Sequence, residues 1–377
     1  MHRRAADPTP LFPSAASCLT AGTVALALLG ACARPEARGG VKQLTLTPEQ
    51  RWASADEGPE AFAEVRSFGV DRGGRMYILD AQAQVVHVFE PTGAHLRTIG
   101  RKGAGPGEFN QANGLVVGAD DRLWVYDHAN QRITQFDTAG QLVKVHPLRI
   151  RSYGYIWEGG IDPEGRILDD IYIPVSADSG RSAVERTDLA SGRTDTLAMP
   201  RCKADRPGFY KFPRGNMSIP YAARRYYRID PRGYSWCGDM KQASVFQYHL
   251  GDTIPFRQFG VQVEPAPVTP AGHDSAAKHV TDFAKQVGGT DVDLSLIPKV
   301  KPLLQRVDVD DRGQVWMQIE EKRGFRMVVF DSTGTEVAEG PAPFGVSYWP
   351  LIIRGDALYA VTRDSMDVQS VVRYRVR

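Results

Sequence analysis

The sequence has few cysteines, almost no net charge and no long hydrophobic run. It contains four cysteines in 377 residues, and 46 Lys and Arg against 44 Asp and Glu give a formal net charge of +2. Because no long run of like charges occurs, the sequence shows no nucleic-acid-binding footprint. Hydrophobic residues make up 42% and charged residues 24%. These values exclude a largely disordered chain, a collagen-like fibre and a polytopic membrane protein.

Turn-forming residues are abundant instead. The 37 glycines and 25 prolines form about one sixth of the chain, compared with roughly 12% in average proteins. Such residues interrupt the chain at many turns, and this pattern favours an all-β fold. Length alone suggests two or three domains, although one β-propeller can also reach this size.

The N-terminus resembles a bacterial lipoprotein signal. Arg3 and Arg4 precede an apolar run at residues 19–29, which is too short for a stable membrane anchor, and the run leads into Leu-Gly-Ala-Cys ending at Cys32. The resemblance implies a signal peptide at residues 1–31, acylation of Cys32 and insertion of its acyl chains into the bilayer, with residues 32–40 as a tether. Ala33 favours the outer membrane over the inner one. An ordinary secretory signal cleaved near Ala31 or Ala33 is the alternative.

Two cysteines then remain in the folded part, Cys202 and Cys237. In an exported protein they can form a disulfide bond. Two buried free thiols are the alternative, and the sequence does not distinguish the two.

An internal repeat predicts the architecture. Residues 65–93 align with residues 112–140 at a shift of 47 positions, and each copy contains several short strands separated by turns. A period of this length is typical of a β-propeller blade. Weaker copies follow, and six turn positions recur, at Gly74, Asp121, Gly165, Gly233, Gly313 and Asp356. We therefore expect an all-β, six-bladed propeller over residues 41–377, with insertions near 170–225 and 262–300.

The second insertion contains one predicted helix. Over residues 274–287 the apolar residues follow helical spacing, with Asp274 or Ser275 as the N-terminal cap and Gly288 after the end. We expect this short helix to pack on the propeller, and docking of a partner is the alternative.

The repeat resembles the NHL family. The similarity rests on Gly-Ala-Gly-Pro-Gly-Glu-Phe at residues 103–109 and on the pattern that follows it, which includes Trp124, Asp127, Arg132 and Phe136. It implies a six-bladed propeller of NHL type. Some NHL propellers are zinc-dependent lyases and some related six-bladed enzymes bind calcium, so zinc or calcium enters as a possible cofactor by family analogy only. The seven histidines after Cys32 do not recur at equivalent positions of the inner strands, so the residues themselves predict no metal site and no cofactor.

Such propellers usually close by pairing an N-terminal strand with the last blade. Residues 41–47 (Val-Lys-Gln-Leu-Thr-Leu-Thr) alternate apolar and polar side chains and precede the first blade. We predict that they complete the last blade and so protect an open sheet edge.

Several carboxylates and glycines have structural explanations. Asp80 and Asp127 recur at the blade period, and a group of acidic residues at 308, 310 and 311 occupies a blade turn, so both sets are expected to cap turns. The glycines at 103, 105 and 107 lack the strand and helix that a phosphate-binding loop needs and are expected to shape a connection between blades. No catalytic motif is recognisable.

One repeated position predicts a binding site. Eight residues before each turn marker, near the start of each innermost strand, the side chains are polar or aromatic: Arg66, Asn113, Trp157, Arg225, Gln305 and Tyr348. We expect them to surround one mouth of the axial channel, where guanidinium, amide and aromatic groups suit an anionic, glycan or peptide ligand. A solvated rim without a ligand is the alternative.

The predicted function is that of a lipoprotein of the cell envelope, exported and anchored through Cys32. Its propeller is expected to bind an envelope protein, a peptide or a carbohydrate, and not nucleic acid. A metal-dependent lyase or lactonase-like hydrolase acting at the axial pocket is the alternative, and a purely structural envelope component is a further one.

Overall fold

The structure is a computed structural model. Residues Gly40–Arg377 form one compact unit. The structure describes residues 40–53, 58, 61–149, 157, 159–162, 164–176, 179–200, 208–223, 226–230, 232–345 and 349–377. The signal peptide and Cys32 lie outside the described residues.

The first three blades follow two N-terminal strands, β1 (Lys42–Gln43) and β2 (Leu46–Ala53). Blade 1 consists of β3 (Val65–Val70), β4 (Met76–Asp80), β5 (Val85–Phe89) and β6 (His95–Ile99). Blade 2 consists of β7 (Ala112–Val117), β8 (Leu123–Asp127), β9 (Arg132–Phe136) and β10 (Leu142–Pro147). Blade 3 consists of β11 (Gly160–Ile161), β12 (Ile167–Ser176), β13 (Ser179–Thr187) and β14 (Thr194–Ala198).

A hairpin of β15 (Phe209–Phe212) and β16 (Gly215–Ser218) precedes blade 4. Blade 4 consists of β17 (Tyr226–Ile229), β18 (Tyr234–Asp239), β19 (Ser244–His249) and β20 (Arg257–Gly260). The helix α1 (Pro270–Gln286) and a 3₁₀ turn (Leu294–Leu296) follow. Blade 5 consists of β21 (Leu304–Val309), β22 (Val315–Glu321), β23 (Gly324–Phe330) and β24 (Glu336–Pro341). Blade 6 contains β25 (Ile352–Arg354), β26 (Ala357–Arg363) and β27 (Gln369–Val376).

These sheets form the predicted all-β, six-bladed propeller with a single helix in the described part of the chain. Each blade is an antiparallel meander that runs from an inner to an outer strand. The turn between the first two strands is capped by a buried aspartate in blades 1, 3, 4 and 5 (Asp71, Asp162, Asp230 and Asp310). Each of these carboxylates accepts a hydrogen bond from the backbone N–H four residues later. The glycine at the tight turn of each of these blades has a positive φ, 79–84°.

The core lies between the blades because each sheet packs both of its faces against its neighbours. Between blades 1 and 2, for example, Tyr77 and Leu79 pack with Leu123 and Val125, and all four are buried. Burying a side chain of this kind contributes roughly 1.5–3 kcal/mol. Each blade therefore depends on the two beside it.

The ring closes through β2, which pairs antiparallel with β27 as the outermost strand of blade 6. The prediction that an N-terminal segment completes the last blade is correct in kind but wrong in its bounds. Lys42 and Gln43 instead pair in parallel with Ala338 and Glu339 of blade 5. The buried side chain that seals the closing strand is Trp52, which lies beyond the predicted segment.

The helix begins four residues earlier than the apolar spacing predicts. Thr269 is its N-cap and accepts a hydrogen bond from the backbone N–H of Gly272, with Pro270 as the first helical residue. The buried face is formed by Ala276, Val280 and Ala284. Val280 packs with Tyr210 and Ile219, so the helix and the β15–β16 hairpin form one layer, built from two separate insertions.

Candidate functional site

The meander places two kinds of loop on opposite faces of the propeller. The inner strands start on the face that carries the connections from one blade to the next, which we call the connection face. The opposite face carries the turns between the first and second and between the third and fourth strands, and we call it the turn face. The hairpin β15–β16 and helix α1 both belong to connections between blades. They therefore lie on the same face as the predicted axial mouth.

A β-bulge marks the predicted position in three blades. The pairing of the inner strand with its neighbour shifts register between Val65 and Ser67, between Ala112 and Gly114, and between Leu304 and Arg306. The extra residues are Arg66, Asn113 and Gln305. A bulge turns its extra residue out of the strand alternation, and bulges are common beside functional sites. The structure thus makes these three sequence-predicted residues equivalent.

Arg66 and Gln305 keep part of their surface exposed. The Arg66 side chain is 26% exposed and its Nη2 lies 2.7 Å from Oε1 of Glu64. Its Nε has no hydrogen-bond partner in the part of the chain that the structure describes. The Gln305 amide donates to the carbonyl of Pro302 at 2.7 Å and to Glu320 at 3.0 Å. These side chains offer charged and polar groups near the starts of blades 1 and 5.

Asn113 and Trp157 are more deeply buried, at 3% and 6% exposure. The backbone N–H of Trp157 donates to the carbonyl of Asn113 at 3.0 Å, which joins the inner strand of blade 2 to blade 3. The Trp157 ring stacks on Tyr126 with centroids 4.6 Å apart and planes 5° apart. Trp157 is therefore a packing element between two blades, and its indole does not offer the open aromatic face that the sequence suggested.

Of the other site residues predicted from the sequence, only Cys237 lies in the described part of the chain. Arg225 and Tyr348 lie outside the described residues, as do Cys32 and Cys202. Cys237 is fully buried and disulfide-bonded. The pairing of Cys202 with Cys237 stays a prediction.

Sequence reasoning missed a buried pair of acids in blade 3. Asp169 and Glu185 face each other across β12 and β13. The Tyr126 hydroxyl donates to Oδ2 of Asp169 at 2.6 Å. Burial raises the pKa of Asp169 to about 6, hydrogen bonds from Tyr126 and Trp157 oppose the rise, and the charge of Glu185 adds to it. Asp169 can therefore exchange a proton near neutral pH.

A signal for Asp169 exists in the repeat. It is the third residue of its strand, a position at which blades 1 and 2 place the fully buried Ile78 and Val125. A carboxylic acid at a core position is unusual unless it is paired, which makes the substitution informative.

Of the carboxylates expected to cap turns, Asp80 and Asp310 do so, and the others accept hydrogen bonds from more distant segments of the chain. Asp80 accepts from the backbone N–H groups of Ala63, Gln82 and Ala83, and Asp127 accepts from that of Asn110. In blade 5, Asp310 caps the blade turn by accepting from the backbone N–H groups of Arg312 and Gln314. Asp308 lies in β21 and accepts from the N–H of Leu351, and Asp311 accepts from that of Gly355, so these two carboxylates join blade 5 to blade 6. These contacts account for both sets structurally.

The glycine-rich segment at residues 103–109 connects blades 1 and 2, as predicted. Arg132 donates to the carbonyls of Ala104, Gly105 and Glu108, which fixes the segment to blade 2.

The described residues do not supply a ligand set for the metal that the family resemblance suggests. Among them, no three His, Cys, Asp or Glu side chains lie where they could share a metal ion. Zinc or calcium therefore has no ligand set in this part of the chain.

The comparison with protein families agrees with the propeller fold formed by the sheets. A model of the DUF5128 family, described as a 6-bladed beta-propeller, matches residues 57–153. No curated protein matches the sequence. No helix in the described part of the chain is long and apolar enough to cross a membrane.

The solved structures with a similar backbone fold have low sequence identity to this chain. A candidate exported protein from Bacteroides fragilis has 13% identity and a TM-score of 0.48, over 89% of this chain and 95% of that one. Virginiamycin B lyase from Staphylococcus aureus has 11% identity and a TM-score of 0.44, over 88% and 99%. A DUF4221 member from Bacteroides vulgatus has 10% identity and a TM-score of 0.48, over 90% and 99%.

Proposed function

We propose that this chain is a lipid-anchored protein of the cell envelope whose NHL-type propeller is a binding platform for a protein, a peptide or a carbohydrate. The observation that carries the proposal is the β-bulge shared by Arg66, Asn113 and Gln305 at the start of three inner strands. The ligand site lies at the axial mouth on the connection face.

The chemistry of the position supports a polar ligand. A purely structural position beside the axis would suit a small aliphatic side chain, whereas the three bulged positions carry a guanidinium and two amides, of which the Asn113 amide is buried. Arg66 has an Nε without a partner in the described part of the chain, and it keeps a quarter of its surface exposed. A guanidinium pairs well with a carboxylate or with a sugar hydroxyl, because its five donors lie in one plane.

The layer of hairpin and helix supports the same face. Both insertions leave the propeller on connections between blades, and they are tied together by the backbone N–H of Arg214, which donates to the carbonyl of Val287. A second layer on one face enlarges the surface that a macromolecular partner can contact.

The test is a screen of the full chain on glycan and peptide arrays, followed by affinity measurement on the strongest binder. We expect Arg66→Ala and Gln305→Ala each to weaken binding about tenfold, since each removes hydrogen bonds of roughly 1–2 kcal/mol. Arg122→Ala is the matched control, because Arg122 is an exposed arginine that follows the turn marker Asp121 on the opposite face. Equal affinities for all three variants would reject the axial mouth as the binding site.

The anchor is tested separately. We expect the native protein to fractionate with membranes and to carry acyl chains on Cys32 by mass spectrometry of its N-terminal peptide. Cys32→Ser should abolish this acylation. A native N-terminus at residue 32 or 34 without acyl chains would contradict the anchor and leave the propeller site untouched.

No observation on the described residues favours the metal-dependent lyase or hydrolase. Burial raises the pKa of the Asp169 carboxyl, but this side chain is 6% exposed and already accepts a hydrogen bond from the Tyr126 hydroxyl.

A further inference from the structure

A cavity of about 280 Å³ lies between blades 4 and 5 on the turn face, opposite the axial mouth. Its volume lies just below the range of ligand pockets, roughly 300–1,000 Å³. Its walls include two arginines, three aromatic side chains, a buried amide and one carboxylate: Arg232, Arg257, Tyr234, Trp236, Phe256, Gln247 and Asp331.

The equivalent place between blades 1 and 2 is occupied by an arginine. There Arg75 donates from Nε to Asp71 and from Nη1 to the carbonyl of Thr138 in the next blade. Blade 4 has Tyr234 one residue after its turn glycine, at the position of Arg75. The Tyr234 ring turns instead toward His249 and Phe256, with centroids 5.6 and 5.7 Å away. Replacement of the bridging side chain explains why this interface stays open.

A second substitution makes the opening polar. Val88 of blade 1 pairs with Tyr77, and the matching residue of blade 4 is Gln247, which pairs with Trp236. The Gln247 side chain is buried at 4% exposure, and its Oε1 accepts from Arg257 at 3.2 Å. A buried amide is retained only where hydrogen bonds are available.

The two arginines carry the charge of the cavity. The guanidinium carbon of Arg232 lies 5.6 Å from the ring centre of Tyr234, and that of Arg257 lies 5.6 Å from the ring centre of Phe256. Arg232 is 37% exposed and pairs with Asp230 at 3.2 Å, while Arg257 also donates to the carbonyl of Ser332. These bonds use only some of the five donors of each group.

One carboxylate lines the same cavity as the two arginines. Asp331 caps its own turn, with Oδ1 accepting from the backbone N–H groups of Thr333 and Thr335. Burial acts to raise the pKa of Asp331, but the hydrogen bonds from these residues hold it below its ordinary value. Two positive charges and one negative charge therefore line the cavity, and Asp230, which is outside the lining, pairs with Arg232.

We propose that the cavity between blades 4 and 5 is a binding site for a small, planar carboxylate of the benzoate type. The guanidinium groups suit the carboxylate, the aromatic side chains in the lining offer apolar surface to the ring, and Gln247 and Asp331 offer acceptors for a ring hydroxyl. This site is independent of the axial mouth, because it lies on the other face and uses none of its residues.

The test titrates 4-hydroxybenzoate into the full chain by calorimetry, with the neutral 4-hydroxybenzamide as the paired probe. We expect the acid to bind and the amide to bind at least tenfold more weakly. Arg257→Gln is expected to weaken binding of the acid about tenfold or more. Arg97→Gln is the matched control, since Arg97 reaches the next blade in the same way, by donating to the carbonyl of Ala139, but at the interface that Arg75 bridges.

Arg232→Gln is the second variant, because Arg232 is partly exposed and its loss should not unfold the blade. It is expected to weaken binding of the acid several-fold. Equal binding of the acid and the amide, no binding of the acid at 5 mM, or the same affinity in Arg97→Gln as in Arg257→Gln would each overturn the proposal.

Discussion

At the scale of single residues, the same position of a repeated blade has different chemistry in different copies. The third residue of the second strand is Ile78 in blade 1 and Val125 in blade 2, and both are fully buried. Blade 3 has Asp169 there, with a pKa of about 6 because burial disfavours its charge. The repeat keeps the backbone, while one substitution introduces a proton-binding group into the core.

Asp169 is predicted to make stability depend on pH. An acid with a raised pKa in the folded state binds its proton more tightly when folded, so stability is greatest near pH 4 and falls as the pH rises through about 6. A pKa that rises by about two units on folding changes the free energy of unfolding by roughly 2–3 kcal/mol. Asp169→Asn should remove the loss of stability that the native chain shows as the pH rises. The free energy of unfolding of the variant minus that of the native chain should therefore increase by about 2 kcal/mol between pH 4.5 and 7.5.

Urea unfolding at the two pH values measures this difference. Asp170→Asn, an exposed neighbour on the same strand, is the control and should show no such increase. A constant difference between the native chain and Asp169→Asn would show that Asp169 is ionised throughout this range.

At the scale of elements, local pattern predicts the kind of element better than its bounds. Thr269 and Pro270 form a helix start, but the apolar spacing that follows begins only at Ala276, so the pattern places the first turn too late. The closing strand shows the same limit. Residues 41–47 alternate as a strand should, yet which sheet edge each part joins depends on the partners β24 and β27, far along the chain.

Trp52 is predicted to hold the ring closed. It is 2% exposed, and its ring lies 6.2 Å from that of Tyr359 in blade 6. Trp52→Ala should lower the free energy of unfolding by about 3–5 kcal/mol, since it leaves a large cavity under the closing strand. Thr47→Ala, exposed on the same strand, should change it by less than about 0.5 kcal/mol. Denaturant unfolding of both variants decides the point, and two similarly small changes would mean that β2 contributes little to closure.

At the scale of the whole molecule, the ring is joined by bonds between residues that are distant in sequence. The Trp349 indole donates to the carbonyl of Val65 at 2.8 Å, and the backbone N–H of Val65 donates to Gln369 at 2.7 Å. Blade 6 is thereby joined to the inner strand of blade 1 by side chains as well as through β2. All six blades are expected to unfold together for this reason.

The disulfide is predicted to add to this stability. A chain that begins at Gly40, the start of the compact unit, contains only Cys202 and Cys237. Thiol titration of this chain after unfolding should detect no thiol before reduction and two after it. Reduction should lower the free energy of unfolding by about 2–4 kcal/mol. Two thiols before reduction would remove the bridge.

The repeat predicts the positions of much of the candidate site, but it does not predict how exposed the side chains at these positions are. Counting back from the turn markers identifies Arg66, Asn113 and Gln305 as equivalent, and the bulges confirm it. The same count cannot show that Trp157 stacks on Tyr126 of the neighbouring blade, because that contact depends on how two sheets pack.

The sequence by itself determined the six-bladed architecture and the turn-capping aspartates, because these depend on chemistry within a few residues and on its repetition. The tertiary structure alone decided which strand closes the ring, which polar side chains stay exposed and where a cavity opens between blades 4 and 5. These features depend on distances between residues such as Val65 and Trp349, which lie 284 positions apart. No local pattern encodes such a distance, since it is set by the packing of all the blades between them.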